Sequence, residues 1–212
     1  MATAAELLGQ FKPGQRIIEQ EIAEALALSS GPARDALKIV QNKRLIVIRP
    51  YRGASVAELT QSDADEICSL RVSLEVLALH QALAIASDAQ IGELTALIER
   101  MEDLLRSAER SQAQIIGTDL DFHETLVRIS GHSRVASAWA ALRGQVSLLM
   151  LTHDVLRNLD MSEIALAWHR LLVEEMLRRD AGSAEETLRK HLARSYEATM
   201  LAIARQDSHA RA

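Results

Sequence analysis

The feature that most restricts the fold is a run of six helical segments that fills the chain after Leu59. Within each segment, apolar residues recur three or four positions apart, which is the spacing of an amphipathic helix. The turns between the segments are short, so consecutive helices must run antiparallel. We therefore predict an all-helical antiparallel bundle over residues 62–206, with helices at residues 62–86, 88–109, 113–130, 133–157, 160–179 and 183–205.

Two of these helices are predicted to begin at capping boxes, in which a hydroxyl side chain and an acid three residues later bond to each other's backbone N–H groups. Ser62 with Asp65 has this spacing at the start of the first helix, and Ser183 with Glu186 has it at the start of the last.

The first part of the chain has a different pattern. Residues 17–27 and 31–42 each have apolar residues at helical spacing, and the turn LSSGP separates them. Two short apolar runs, LIVI and ASV, then flank the turn RPYRG and are typical of a β-hairpin. Helix, turn, helix and hairpin is the order of a winged helix-turn-helix. The predicted fold is mostly α, with a winged helix-turn-helix domain at residues 1–58 preceding the bundle.

Charge is divided unequally between the two parts. Residues 1–56 hold eight Lys/Arg and five Asp/Glu, a net charge of +3, whereas the remaining residues hold sixteen and twenty-four, a net charge of −8. A basic segment beside a larger acidic one suggests that a polyanion binds the front of the chain. On charge alone, the alternative is chance variation over a short segment. The chain has a single cysteine, does not begin with a secretory pattern, and has no run of about 18 consecutive apolar residues. These features favour a cytoplasmic protein without a membrane partner.

The predicted DNA contacts lie around the second helix and the hairpin. The second helix of a helix-turn-helix enters the major groove, where Arg34 could pair with a guanine edge or a phosphate. Hydroxyl and backbone donors at its beginning could meet phosphates. Taken singly, each residue is more typical of a solvated charge or polar group on a helix or loop, and only their combination in this order favours DNA binding. The candidates are Ser29, Ser30, Gly31, Arg34, Lys38, Arg49, Arg52 and Gly53.

Four residues of the bundle have a spacing that suits metal ligands. Asp119 and His123 are four positions apart and therefore on one helix face. His169 and His191 are about equally distant from the turn DAGS, so an antiparallel hairpin brings them to a similar height. Three imidazoles and a carboxylate suit a divalent transition metal such as Zn, Ni or Mn. From spacing alone, the alternative is a set of separate histidines that make ordinary hydrogen bonds.

The front segment contains four short patterns: PGQRI, E-x-x-I-A-E, S-x-G-P-x-R-D-A-L and the hairpin pair RG. In this combination the segment resembles the DNA-binding domain of GntR-type bacterial transcription regulators. The resemblance implies DNA-contacting positions at Ser29, Gly31, Arg34 and Gly53. Ser30 stands where the family usually has arginine, which implies weaker or altered base recognition, and Arg44 stands where it usually has glycine.

The bundle resembles the FCD sensor domain of the FadR branch of the same family. The pattern D-x-x-F-H at Asp119–His123, followed by single histidines in the last two helices, falls at that family's metal-ligand positions. The family commonly senses small carboxylates. Arg71, in the matching pattern R-x-x-L-E, is then either an effector clamp or only the salt-bridge partner of Glu75. His132 is either a polar group of the effector pocket or a helix-end residue.

Together these patterns predict a homodimeric transcription regulator, expected to be a repressor rather than an enzyme. It would bind palindromic double-stranded operator DNA, and a metal and a small carboxylate in the bundle would alter its affinity for that DNA. Two alternatives are a metal-dependent hydrolase or lyase that uses the Asp/His site and a helical scaffold with a weakened DNA head. The first lacks an obvious general base beside the site, and Ser30 motivates the second.

Overall fold

The computed structural model describes residues 13–18, 37–42, 44–49, 53–109, 111–152 and 159–210. This part of the chain is mostly helical, as predicted. A short helix, α1, covers residues 37–42. In chain order the other elements are β1 (Arg16–Ile17), β2 (Ile46–Arg49), β3 (Gly53–Val56), α2 (Gln61–Ile85), α3 (Asp88–Arg106), α4 (Gln112–Ile129), α5 (Ser133–Thr152), α6 (Leu159–Leu177) and α7 (Ala181–Ala210).

The three strands form a small antiparallel sheet with β3 in the middle. β2 and β3 make the predicted hairpin, in which Arg49 lies opposite Gly53. Gly53 has a φ of +78°, a left-handed conformation that favours glycine. The predicted helix over residues 17–27 is wrong at its first residue, because Ile17 pairs with Ala54 in the sheet and is buried. Its residues 19–27 lie outside the described residues, and α1 is the described end of the predicted second helix.

The six long helices form the predicted antiparallel bundle around two clusters of buried apolar residues. One cluster joins α2, α3, α4, α6 and α7. The other joins α2, α4, α5 and α7 and includes Trp139 of α5, which is fully buried. The boundary between the two predicted domains, between residues 58 and 62, stays a prediction.

Two of the helices begin at caps other than the predicted ones. Thr60 and Asp63 form the capping box of α2, so the cap lies two residues before the predicted Ser62. At α7, the carboxylate of Asp180 accepts hydrogen bonds from the N–H and the hydroxyl of Ser183. Aspartate accepts such bonds as readily as serine does, and several polar residues adjoin each turn, which explains the error.

Among the described residues, α2 is long and apolar enough, by length and composition, to cross a membrane. One such helix is weak evidence, because the core helices of soluble proteins pass the same test. α2 packs against α4, α5 and α7 and carries a buried ion pair between Arg71 and Glu75. These contacts mark it as a core helix of the bundle.

The front sheet packs directly on α5. Leu45, which immediately precedes β2, is 1% exposed and shares a buried cluster with Leu148 of α5. Gly144, one turn earlier on α5, permits this approach, since a Cβ there would lie 2.7 Å from Cδ1 of Leu45. The sheet is thereby connected to the helix that also carries Trp139.

Candidate metal centre

Asp119, His123, His169 and His191 meet in the interior of the bundle. α4 supplies Asp119 and His123, α6 supplies His169 and α7 supplies His191. All four are buried, and one ligand atom from each lies within 4.8 Å of the others. The structure thus brings together all four of the residues that the sequence suggested as metal ligands.

The three imidazoles direct their Nε2 atoms at one region. Nε2 of His123 is 3.2 Å from Nε2 of His191 and 3.4 Å from Nε2 of His169. The carboxylate of Asp119 lies 3.5 Å from Nε2 of His169 and 3.7 Å from Nε2 of His123. Four donors held at about 2.0–2.1 Å from a tetrahedral cation are separated from one another by about 3.3 Å. These separations therefore fit the donor atoms of one small cation.

Burial sets the protonation state of these groups. Loss of solvation lowers the pKa of His123, His169 and His191 well below the ordinary value, and the nearby charge of Arg71 adds to the effect. The same loss of solvation raises the pKa of Asp119 to about 6. At neutral pH the site therefore presents neutral imidazoles and an ionised carboxylate, which are the forms that bind a divalent metal.

Glu75 lies behind His123 and was not identified from the sequence as part of the site. One carboxylate oxygen, Oε1, accepts a hydrogen bond from Nε of Arg71 at 2.7 Å, and Oε2 lies 2.7 Å from Nδ1 of His123. Burial raises the pKa of Glu75, and the Arg71 guanidinium opposes that shift. The i, i+4 spacing revealed the pair with Arg71, but no local pattern links Glu75 to a residue 48 positions later.

Arg71 lies beside the cluster and has an unused donor. Within the part of the chain that the structure describes, its Nη2 is buried without a hydrogen-bond partner, as is Nε1 of Trp139. The guanidinium carbon lies 5.6 Å from the centre of the Trp139 ring, which in turn is 6.4 Å from the ring of His123. Buried donors are normally satisfied, so this arrangement suits a small hydrogen-bond acceptor. Trp139 carries no sequence signal beyond that of a core aromatic residue.

His132 lies at the beginning of α5. Its Nδ1 accepts a hydrogen bond of 3.4 Å from the N–H of Val135, and its own N–H donates to the hydroxyl of Ser130. These contacts are typical of a residue at the end of a helix, which is one of the two interpretations that the sequence left open. Its role in effector binding stays a prediction.

The predicted DNA contacts are only partly described. Lys38 on α1 and Arg49 on β2 are exposed, and Arg49 lies beside Gly53 at the end of the hairpin. This placement suits contact with a phosphate or a groove, and it stays a prediction. The remaining candidates lie outside the described residues: Ser29, Ser30, Gly31, Arg34 and Arg52.

Arg44 has a φ of +59° where the resemblance would place glycine. Its N–H donates to the carbonyl of Gln41, and the N–H of Leu45 donates to the carbonyl of Val40, so the chain leaves α1 through a left-handed residue. A glycine at this position would adopt that conformation without strain, which is a physical reason for the family's preference.

Comparison with known proteins agrees with this architecture. Residues 66–194 match the family model described as "FCD domain". The chain is 27% identical over 186 residues to "Uncharacterized HTH-type transcriptional regulator YdhC" of Bacillus subtilis, which covers 86% of this chain and 80% of that protein. It is 24% identical over 190 residues to "HTH-type transcriptional repressor GlaR" of Escherichia coli, a match that covers 87% of this chain and 86% of that protein. The solved structure "E. coli McbR/YncC" shares the fold, with a TM-score of 0.78 at 19% identity over 94% of this chain and 99% of that chain.

Proposed function

Because the chain belongs to the GntR-type transcription regulators with an FCD domain, we propose that it is a metal-containing regulator whose affinity for operator DNA responds to a small organic acid. Membership of this family makes it a ligand-responsive transcription regulator and not an enzyme, so the hydrolase or lyase alternative is set aside. The observation that carries the metal proposal is the convergence of three imidazole Nε2 atoms and one carboxylate in the bundle.

The donor set selects the class of metal. Three imidazoles and one carboxylate suit Zn, Ni or Mn, and the neutral, buried histidines need no proton released before they bind. A bound divalent ion would also balance Asp119, a carboxylate whose burial disfavours its charge. The four residues would be the protein's ligands, and a coordination number above four would leave positions for oxygen atoms of an effector.

The effector site is proposed beside the metal, at Arg71. A carboxylate could accept a hydrogen bond from Nη2, which has no partner among the described residues, while its oxygens approach the metal. Buried Trp139 would form part of the wall. Such a ligand would satisfy buried donors for which the described residues supply no acceptor. This interpretation favours the clamp role of Arg71 in addition to its ion pair with Glu75.

The DNA head would act as a homodimer on a palindromic operator, with one recognition helix and one wing from each subunit. The repressor function is proposed from the resemblance to a relative whose name describes a repressor. Cytoplasmic location and the absence of a membrane partner are proposed on the same grounds.

The scaffold alternative predicts that DNA binding appears only when Ser30 is replaced by arginine.

Titration of the metal-loaded protein with DNA from upstream of its own gene tests the proposal. Fluorescence anisotropy over a range of salt concentrations should show specific, salt-dependent binding, which a panel of small mono-, di- and tricarboxylates then changes. Equal affinity for the upstream fragment and for unrelated DNA of the same length would contradict the regulatory proposal. An affinity that no carboxylate alters would contradict the proposed effector class.

A further inference from the structure

A continuous buried path of polar contacts leads from Arg71 through Glu75 to the candidate metal ligand His123. Both contacts of Glu75 are 2.7 Å long, one to Nε of Arg71 and one to Nδ1 of His123. Glu75 and His123 are fully buried, and Arg71 is 4% exposed. Each carboxylate oxygen thus has its own partner, so the carboxylate has little freedom to rotate.

This arrangement specifies which nitrogen of His123 carries hydrogen. Arg71 remains protonated in proteins and donates to Glu75, which favours the ionised carboxylate. A carboxylate can only accept, so the opposing Nδ1 of His123 must donate. The lone pair of the neutral imidazole is then on Nε2, the atom that faces His169 and His191 at 3.4 and 3.2 Å.

His169 provides a contrast within the same cluster. Its Nδ1 is buried without a hydrogen-bond partner in the part of the chain that the structure describes. Its ring is held by packing, with the ring of Phe122 at a centroid distance of 4.2 Å. Burial alone therefore does not place a carboxylate beside Nδ1 of a histidine in this cluster. His123 has Glu75 at that position, whereas the ring of His169 is held by packing against Phe122.

We infer that Glu75 is a positioning residue of the metal site, which holds His123 as the Nδ1–H tautomer with Nε2 directed at the ion. This inference rests on the proposed metal-binding function and adds Glu75 to it. Carboxylates that accept the second N–H of a ligand histidine fix the ring orientation and increase its basicity, and their loss typically lowers metal affinity about 10- to 100-fold. Arg71 completes the arrangement, since it fixes the other oxygen of Glu75.

Zinc affinity of the full-length protein, measured by competition with a chromophoric chelator, tests the inference. Glu75→Leu should weaken zinc binding about 10- to 100-fold. Glu75→Gln should weaken it less, because the amide oxygen can still accept from Nδ1. Glu66→Gln is the matched control, since Glu66 is an exposed acid on the same helix, and it should leave the affinity unchanged. Circular dichroism verifies that each variant is folded.

The tautomer provides a second measurement that does not need the leucine variant to fold. In metal-free protein labelled with 15N-histidine, long-range 1H–15N correlation spectra should show His123 protonated at Nδ1, and Glu75→Gln should reduce the population of that tautomer. Protonation of His123 at Nε2 in the wild type would overturn the inference. So would a folded Glu75→Leu protein whose zinc affinity is within twofold of the wild type. A wild type that takes up no zinc would overturn the proposed metal site itself.

Discussion

Leu45 of the front segment packs closely on Gly144 of α5. A Cβ added to Gly144 would lie 2.7 Å from Cδ1 of Leu45. α5 also carries Leu148, which shares the buried cluster of Leu45, and Trp139, which lies against Arg71. One helix therefore contacts both the front sheet and the side chains beside the candidate metal centre. This is a physical route by which events in the bundle could bias the placement of the DNA head.

Replacement of Gly144 by alanine should weaken the contact between the sheet and α5. Leu45 is 1% exposed and has little room to move, so overpacking by the added methyl group should cost about 1–3 kcal/mol of unfolding free energy. The higher helix propensity of alanine should recover about 0.5–1 kcal/mol of that cost. Urea denaturation measures the change. Gly92→Ala on α3 is the control, since no atom of the described residues lies within 4 Å of a Cβ there, and it should stabilise by about 0.5–1 kcal/mol. Equal effects of the two substitutions would contradict the close contact.

Metal affinity should fall as the pH decreases through about 6. Asp119 has a pKa of about 6 in the metal-free protein, so below that pH a proton competes with the metal for its carboxylate. The histidines have a lowered pKa and begin to compete only in more acidic solution. Chelator competition between pH 5 and 8 should give a decline near pH 6 in the wild type, and Asp119→Asn should bind more weakly without that decline. The same pH profile in both proteins would contradict the assignment.

Substitution of Arg71 by lysine should separate metal binding from effector binding. Lysine keeps the positive charge near Glu75 but lacks the planar fork that can hold Glu75 and a carboxylate at the same time. We expect zinc uptake to persist and the concentration of carboxylate needed to change DNA affinity to rise at least about tenfold. Arg128→Lys, at an exposed pair with Glu93, serves as the control and should respond like the wild type. An unchanged effector response in Arg71→Lys would show that the clamp lies elsewhere.

Arg44→Gly should stabilise the protein. A non-glycine residue in the left-handed region costs about 1–2 kcal/mol of stability, and glycine removes this cost. Glycine also has greater freedom in the unfolded chain, which offsets part of the benefit. We therefore expect a net gain of about 0.5–1 kcal/mol. Arg179 has a similar φ of +58° but also bonds to Asp88 and to the carbonyl of Leu83, so Arg179→Gly should gain less or lose stability. Thermal unfolding of both variants measures the difference, and destabilisation by Arg44→Gly would contradict the strain argument.

The sequence predicted features that depend on local periodicity, and it missed those that depend on contacts between distant residues. The helices of the bundle and the hairpin follow from spacing along the chain. The pairing of Asp119 with His123 could be anticipated from i, i+4 spacing, and that of His169 with His191 from the symmetry of the hairpin. The meeting of the two pairs is favoured by the family resemblance and not by spacing alone. The contact between Glu75 and His123, and that between Leu45 and Gly144, join separate elements whose relative rotation no local pattern fixes.

Errors at helix starts have a similar origin. Thr60 and Ser62 are both acceptable N-cap residues, and each has an acid three positions later, so spacing could not distinguish them. The start at Thr60 is established only by its bonds with Asp63 in the folded chain.

The most direct test of the account is the metal content of freshly purified protein, determined by mass spectrometry for the wild type and for the double variant His169→Ala/His191→Ala. Both variant positions lie within the cluster, on α6 and α7. We predict close to one divalent transition metal ion per chain in the wild type and almost none in the double variant. A wild type that contains no metal and takes up none on addition of Zn, Ni or Mn would contradict the account.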